Sequence, residues 1–325
     1  RLLPNHISKY TAIRKYSYMI CLLSHFKRTE SAKIMTNDDV KQVTGIYHRR
    51  IGDVVVTAIS DGYIDAPYSV LQSISPVDAQ TILTEEFKPT PPRISVNCYV
   101  IQADDKIAVV DTGSGDSMGP TLGLLAKSLM EINIDLKQID TVLLTHMHPD
   151  HSNGLSNPNG ERLFPNAEIV VSEKDIEFWH DDSAMARANE SQRVRYFEAA
   201  RFQIAPYMDR LNSATGEVFP NVRAIDLSGH TPGHTGYMVE SESDSLLIWG
   251  DICHVPDIQV RRPEVTMVFD TDPEAAINTR RRTFDMVSSD KVLVAGMHLH
   301  FPGFSYIMKN KDGYRIIPES WAFTA

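Results

Sequence analysis

The sequence predicts an α/β protein built as a four-layer αββα sandwich, two sheets packed face to face with helices outside them. Three observations carry this. The 325 residues are 42% hydrophobic, enough for one large core. Strand-like and helix-like runs alternate through both halves of the chain. An internal echo then relates the halves. A hairpin ending in Asp111, a helix and a strand ending in His146 are matched by a hairpin ending in Asp251, a helix and a strand ending in His298. Two halves that each deliver an aspartate and histidines from strand ends would build one site at their seam.

The regular pattern begins at Ile51, where IGDVVVTAIS reads as a strand. NCYVIQADDKIAVVDTG reads as a hairpin turning at Asp104-Asp105, and GPTLGLLAKSLMEIN has helical spacing with Pro120 tolerated near its start. IDTVLLTH and NAEIVVSE are strands. Residues 173–212, rich in charge, aromatics and helix formers, predict two or three helices over the core or the site. After VRAIDLSG, the segment TGYMVESESDSLLIWGD predicts the second hairpin. DPEAAINTRRRTFDMVSS predicts a helix, with Asp272 as N-cap and Pro273 at the first helical position. Its RRR, at 280–282, reads as a solvated face. KVLVAGMH closes the series as a strand.

Residues 1–34 differ from the rest. RKYSYMICLLSHFKR sets basic flanks around a short apolar stretch, but polar residues interrupt it and no clean small-x-small cleavage site follows. The expected organisation is an extension over 1–34 outside the fold and one domain over 35–325, with a helical insertion around 173–212. A degenerate targeting segment is the alternative reading of the extension and leaves export open.

Composition excludes several classes of function. A net charge of −10 gives no help in binding a phosphate backbone, so no nucleic-acid partner is expected. No apolar run approaches the roughly 18 residues of a membrane span, so no membrane partner is expected either. Cys21, Cys98 and Cys253 are scattered and form no CxxC pair, which argues against a disulfide framework or a thiolate zinc site. A reducing, cytoplasmic compartment fits them.

The chemistry concentrates at strand ends. In TVLLTHMHPDHSNGL, an apolar run leads into His146, His148, Asp150 and His151, three of the twelve histidines within six positions. Imidazole nitrogen and carboxylate oxygen suit zinc and other divalent first-row metals, and the alternating spacing lets four groups divide between two adjacent ions. In SGHTPGHTGY, His230 and His234 are four apart, but Pro232 and two glycines rule out a helix face. One of the two is expected to reach a metal. His234 is the choice, with His230 structural in the turn. LLIWGD places Asp251 just past a buried strand, where an uncompensated carboxylate is costly and bridging two cations removes the difficulty. GMHLHFPGF offers His298 and His300, and His298 lies at the strand end as His146 does. Cys253 and His254 read as core or as support for the ligands. Phe301, Phe304 and Trp179 are candidates for an apolar substrate pocket, although ordinary packing explains each of them equally well.

Together these segments resemble the metallo-β-lactamase superfamily of hydrolases in its dinuclear form, over residues 97–304 and in the family's order. The resemblance implies one metal on His146, His148 and His234, a second on Asp150, His151 and His298, and Asp251 bridging them. It implies two divalent ions, zinc foremost, and matches Asp111 in VVDTG to an aspartate that orients ligands by hydrogen bonding. GDICHVPDIQV and HLHFPGFSYI resemble the methyl parathion hydrolase branch, which includes lactonase-like members. His300 departs from the smaller or proline-like residue expected there, and is placed with Phe301 and Phe304 behind the ligands or in the substrate pocket.

The implied reaction is attack on a neutral ester by a metal-bridging hydroxide, with Asp150 and Asp251 as its catalytic carboxylates. Asp150 would accept a proton as well as hold its metal. A lactonase acting on acyl-homoserine lactones or similar small molecules, with phosphotriesterase activity beside it, is the leading expectation. An organophosphate hydrolase is the alternative. A homodimer is compatible with either. No G-x-S-x-G elbow supports serine catalysis. A glyoxalase II-like thioesterase would need a helical domain after the last ligand, where fewer than thirty residues remain. A flavodiiron oxidoreductase would need a flavin domain and usually a glutamate in place of His148.

Overall fold

A computed structural model of the chain describes residues 42–311 and 313–323, and the extension expected over 1–34 lies outside them. β1 (Ile46–Ile51) and β2 (Val54–Asp65) form a hairpin turning at Gly52-Asp53. The short β3 (Leu71–Gln72) and the helix Pro76–Glu85 follow. β4 (Arg93–Ala103) then pairs with β2 and turns into β5 (Lys106–Val110). The turn is the expected Asp104-Asp105, with φ of 49° and 61°, a left-handed pair that matches the twist of a two-residue hairpin. β6 (Thr141–Leu143), β7 (Glu168–Val171) and β8 (Leu211–Ser213) extend this sheet in parallel.

The second half repeats the plan. β9 (Glu217–Phe219), β10 (Val222–Asp226), β11 (Thr235–Ser241) and β12 (Asp244–Ile248) are antiparallel neighbours. β13 (Thr266–Met267) leaves to pair with β3, and the helix Pro273–Asp290 returns the chain to β14 (Leu293–Ala295), parallel to β12. The hairpin of β15 (Phe304–Asn310) and β16 (Gly313–Pro318) closes it. Among the described residues this makes two seven-stranded sheets, ordered β1-β2-β4-β5-β6-β7-β8 and β16-β15-β14-β12-β11-β10-β9.

Period-two alternation sorts the side chains into layers. Along β5, Ala108 and Val110 enter the core between the sheets, while Ile107 and Val109 face the outer helices. β12 and β14 do the same: Leu246, Ile248, Leu293 and Ala295 point inward, and Leu247 and Val294 meet Phe284 and Val287 of the helix Pro273–Asp290. Strands with two buried faces read as continuous apolar runs, and four layers follow. Asp272 caps that helix by accepting from the Ala275 N–H at 3.0 Å, as its sequence predicts.

Several boundaries depart from expectation. β1 lies before the start expected at Ile51; two of the six residues in IYHRRI are charged, and it forms an edge strand whose Arg49 pairs with Glu319 at 2.9 Å. The helix expected over GPTLGLLAKSLMEIN runs only over Leu125–Glu131. Its approach is organised by buried Asp61, whose carboxylate accepts from the N–H groups of Ser114, Gly123 and Leu125. The helices expected over 173–212 end at Tyr207 and connect β7 to β8 across the outer face of the first sheet. Arg280 is buried and not solvated: its guanidinium donates to the carbonyls of Ile252, Pro263 and Val265 at 2.6–3.0 Å, pinning the segment that follows Asp251. Cys98 and Cys253 are buried free thiols. Among the described residues no helix is long and apolar enough to cross a membrane.

Candidate metal centre

The carboxyl ends of β5, β6, β12 and β14 face one another at the seam, and each supplies a loop to the site. Asp111 leaves β5 in the left-handed region, φ 58°, fully buried. Its carboxylate accepts from the Thr145 N–H, the Thr145 hydroxyl and His151 Nδ1, each at 2.7 Å. That fixes the His151 ring, carried on the helical turn Pro149–Ser152, so that Nε2 faces Asp251.

The same device recurs around the cluster. His298 Nδ1 donates to the Ser95 carbonyl at 2.7 Å, His230 Nδ1 to Asp270 at 2.7 Å, and His146 Nδ1 lies 3.1 Å from the Thr145 hydroxyl. Each ring spends one nitrogen on an orienting partner and turns the other inward, as metal-ligating histidines do. Five Nε2 atoms, those of His146, His151, His230, His254 and His298, lie 2.9–3.6 Å from a single oxygen, Asp251 Oδ2. His148 Nδ1 completes the group, 3.0 Å from His146 Nε2 and 2.9 Å from His230 Nε2. Asp150 Oδ2 lies 3.6 Å from His151 Nε2 and 3.5 Å from His298 Nε2.

The donor set fits divalent metal. Ligand atoms of His146, His148 and His230 lie within 4.8 Å of one another, as do those of Asp150, His151 and His298, and Asp251 joins His146 and His151 in a further such group. His151 Nε2, Asp251 Oδ1 and His254 Nδ1 are buried with no hydrogen-bond partner among the described residues, a cost that a cation would remove. Burial, and then the neighbouring rings, holds His146 and His148 well below the usual imidazole range, in the neutral form that ligates. Burial alone would raise the Asp251 carboxyl; the surrounding imidazoles, His151 and His298 foremost, instead hold it well below the carboxylate range.

The geometry reverses one expectation. His234 was expected to ligate and His230 to be structural, yet His230 joins the cluster. His234 Nδ1 donates to the Leu227 carbonyl and its Nε2 accepts the Asp251 N–H, both at 2.9 Å, so no lone pair remains. Burial, with His230 beside it, pushes His234 down to about 3, consistent with the neutral ring that these two bonds require. Gly250, φ 58°, makes the contact possible, since a Cβ there would sit 2.3 Å from His234 Nε2. Asp175, which sequence reading missed, ties the two histidine loops together by accepting from the N–H groups of Met147 and Gly233 at 2.9 Å.

The cluster floors a cavity of about 370 Å³ reached by His148, Asp150, Asp251, His254 and His298. Its walls are mainly apolar, with Ile64, Val70, Ile94, Met118 and Phe269 among them. Phe301, Phe304 and Trp179 do not line this cavity. Phe304 packs between the sheets against Tyr99, and Phe301 is partly exposed away from the cavity. His300 also turns away, bonding Asp257 at 2.8 Å. Trp179 lies behind His148, ring centroids 5.3 Å apart. Phe269 and Tyr196 supply aromatic wall instead, and His254, read as support, lies within the cluster and stacks on His298.

Residues 91–298 match the sequence profile of the family described as the metallo-beta-lactamase superfamily. The chain belongs to the metallo-β-lactamase superfamily. Relatives within it include the N-acyl homoserine lactonase AiiA of Bacillus thuringiensis subsp. kurstaki, 23% identical over 248 residues that cover 70% of this chain and 86% of the relative. An N-acyl homoserine lactonase of a Bacillus species is 24% identical over 249 residues with the same coverage. The crystal structure of AbOPH, a hydrolase in the β-lactamase superfamily, is 30% identical, with a TM-score of 0.81 over 87% of this chain and 100% of that one. AidC, a dizinc quorum-quenching lactonase, shares the superfamily fold with the same TM-score and coverage at 23% identity.

Proposed function

We propose that this superfamily member is a metal-dependent hydrolase of the lactonase type, acting on neutral esters of small molecules. The observation that carries the reading is the convergence of five imidazole nitrogens on Asp251 Oδ2 at the floor of an apolar cavity. One zinc would be held by His146, His148 and His230, a second by Asp150, His151 and His298, with Asp251 between them. Bound there, the ions would supply an ionised water near neutral pH and polarise the scissile carbonyl.

The chain's own residues do the rest. Asp111, Asp270 and the Ser95 carbonyl orient the ligand rings before substrate arrives. Asp150 is less buried than Asp251 and lines the cavity, so its carboxylate can take a proton and return it to the leaving oxygen. The apolar walls exclude water around a neutral acyl group. The likeness to N-acyl homoserine lactonases supports a lactone as the substrate. A phosphotriesterase is the second reading, favoured by the aromatic wall of Tyr196 and Phe269, which would suit an aryl leaving group.

The test is a hydrolysis panel on the zinc-loaded protein: acyl-homoserine lactones, simple γ- and δ-lactones, aryl esters, an aryl dialkyl phosphotriester and a β-lactam. Lactones are expected to give the highest kcat/KM, with metal near two ions per chain and activity lost on chelation. Turnover of the triester with lactones untouched would transfer the assignment to the second reading. Metal firmly at one ion in active protein would remove the bridging role of Asp251.

A further inference from the structure

Ester hydrolysis leaves one group of the cavity without a task. Beyond the metal cluster, the charged side chain lining it is Arg195. Neighbouring arginines are engaged: Arg193 pairs with Glu198 at 3.3 Å, and Arg201 with Asp182 at 2.8 Å. Arg195 makes no hydrogen bond or ion pair among the described residues and is solvent-exposed. It rides on a π-helical turn, Arg193–Glu198, a wider coil that is uncommon and recurs at functional sites. There two consecutive side chains, Arg195 and Tyr196, both reach the cavity, while Phe197 turns into the core. The Tyr196 ring lies 5.2 Å from that of His148. Burial raises its phenol, and Arg195 and Asp150 act on it in opposite senses, so guanidinium and carboxylate are both within electrostatic reach of one hydroxyl.

A guanidinium at the wall of an apolar cavity is matched by acceptor oxygens, carboxylate above all and amide carbonyl next. We propose that Arg195, with the Tyr196 hydroxyl beside it, anchors an acceptor oxygen of the substrate that is not part of the scissile ester. The enzyme thereby selects esters carrying a carboxylate or an amide over plain ones. This rests on the ester-hydrolase reading and narrows its substrate class.

The experiment uses the metal-loaded full chain and three lactones with the same ring, bearing a plain alkyl, an N-acylamino or a carboxyalkyl substituent. R195Q is expected to raise KM for the acceptor-bearing lactones relative to the plain one by about fivefold, the scale of a solvent-exposed charge contact, with little change in kcat. The arm that loses more identifies carboxylate or amide as the anchored group. R195K restores part of the preference on the carboxylate arm, because the charge remains without the planar fork. R193Q, on the same turn but outside the cavity lining, leaves the KM ratio as it was. An unchanged ratio in R195Q, or an equal shift in R193Q, overturns the proposal. Should no ester be hydrolysed, calorimetric binding of the corresponding ring-opened hydroxy acids decides it separately. R195Q must weaken binding of the acceptor-bearing acids by about fivefold more than that of the plain one, and equal losses overturn it.

Discussion

His230 and His234 make opposite predictions, and alanine at each in turn separates them. H234A deprives two buried backbone groups, the Asp251 N–H and the Leu227 carbonyl, of their partners. An orphaned buried polar group costs about 1–3 kcal/mol, so the pair together costs about 2–6 kcal/mol. At about 2–4 °C per kcal/mol, the melting temperature should fall by about 4–24 °C. H230A leaves the backbone bonded. Asp270 loses one partner but still accepts the Met267 N–H at 2.7 Å, and the crowd of imidazoles loosens. Its main effect should therefore be on metal, with one ion lost or weakly held. Thermal melts in chelator remove the contribution of bound metal to stability, and elemental analysis after desalting counts the ions. H230A is expected to melt higher than H234A in chelator yet retain less metal. A fully loaded H230A, beside an H234A that keeps its apo-protein melt and loses an ion, would refute the reassignment.

Further outcomes follow from individual contacts. D111N replaces one accepting oxygen by an NH2 group facing a donor at 2.7 Å, so metal affinity by chelator competition should drop about 10–100-fold; unchanged affinity removes Asp111 from the orienting role. G250A puts a methyl 2.3 Å from His234 Nε2 at positive φ and should cost on the order of 3 kcal/mol in urea unfolding, and a neutral result would mean that the loop yields freely. H300A removes a part-exposed pair with Asp257 and should leave metal content and substrate preference alone, at about 0–1 kcal/mol of stability; a changed substrate profile would return His300 to the pocket. Removing residues 1–34 should preserve metal content and turnover, since the described strands begin at Ile46, and a soluble truncated protein without turnover would count against this.

Much of the architecture was legible from local order along the chain. The strand runs ending in Asp111, His146, Asp251 and His298, the Asp104-Asp105 turn and the Asp272-Pro273 helix start are each written in a few adjacent residues. Those signals need only the period of a strand, the geometry of a two-residue turn or the chemistry of a cap. H-x-H-x-D-H was legible for the same reason, because the donors follow a strand end directly.

Where sequence reading went astray, the deciding partner was far along the chain. β1 lies before the start expected at Ile51, and its Arg49 finds its partner, Glu319, 270 positions away. Arg280 looked solvated until the carbonyls of Ile252, Pro263 and Val265 closed around it. For Phe304 packing and pocket are equally open in the sequence, and the phase of β15 against Tyr99 selects packing. His230 and His234 carry the same donor atoms four residues apart, and no local rule ranks them. What ranks them is which lone pairs the backbone has already taken: the Asp251 N–H claims His234, while Asp270 leaves His230 Nε2 free to face the cluster. The sequence alone determined which kinds of donor lie at the strand ends, because spacing and period are local. Only the tertiary structure decided which donors face inward, because that depends on hydrogen bonds formed between segments the chain keeps apart.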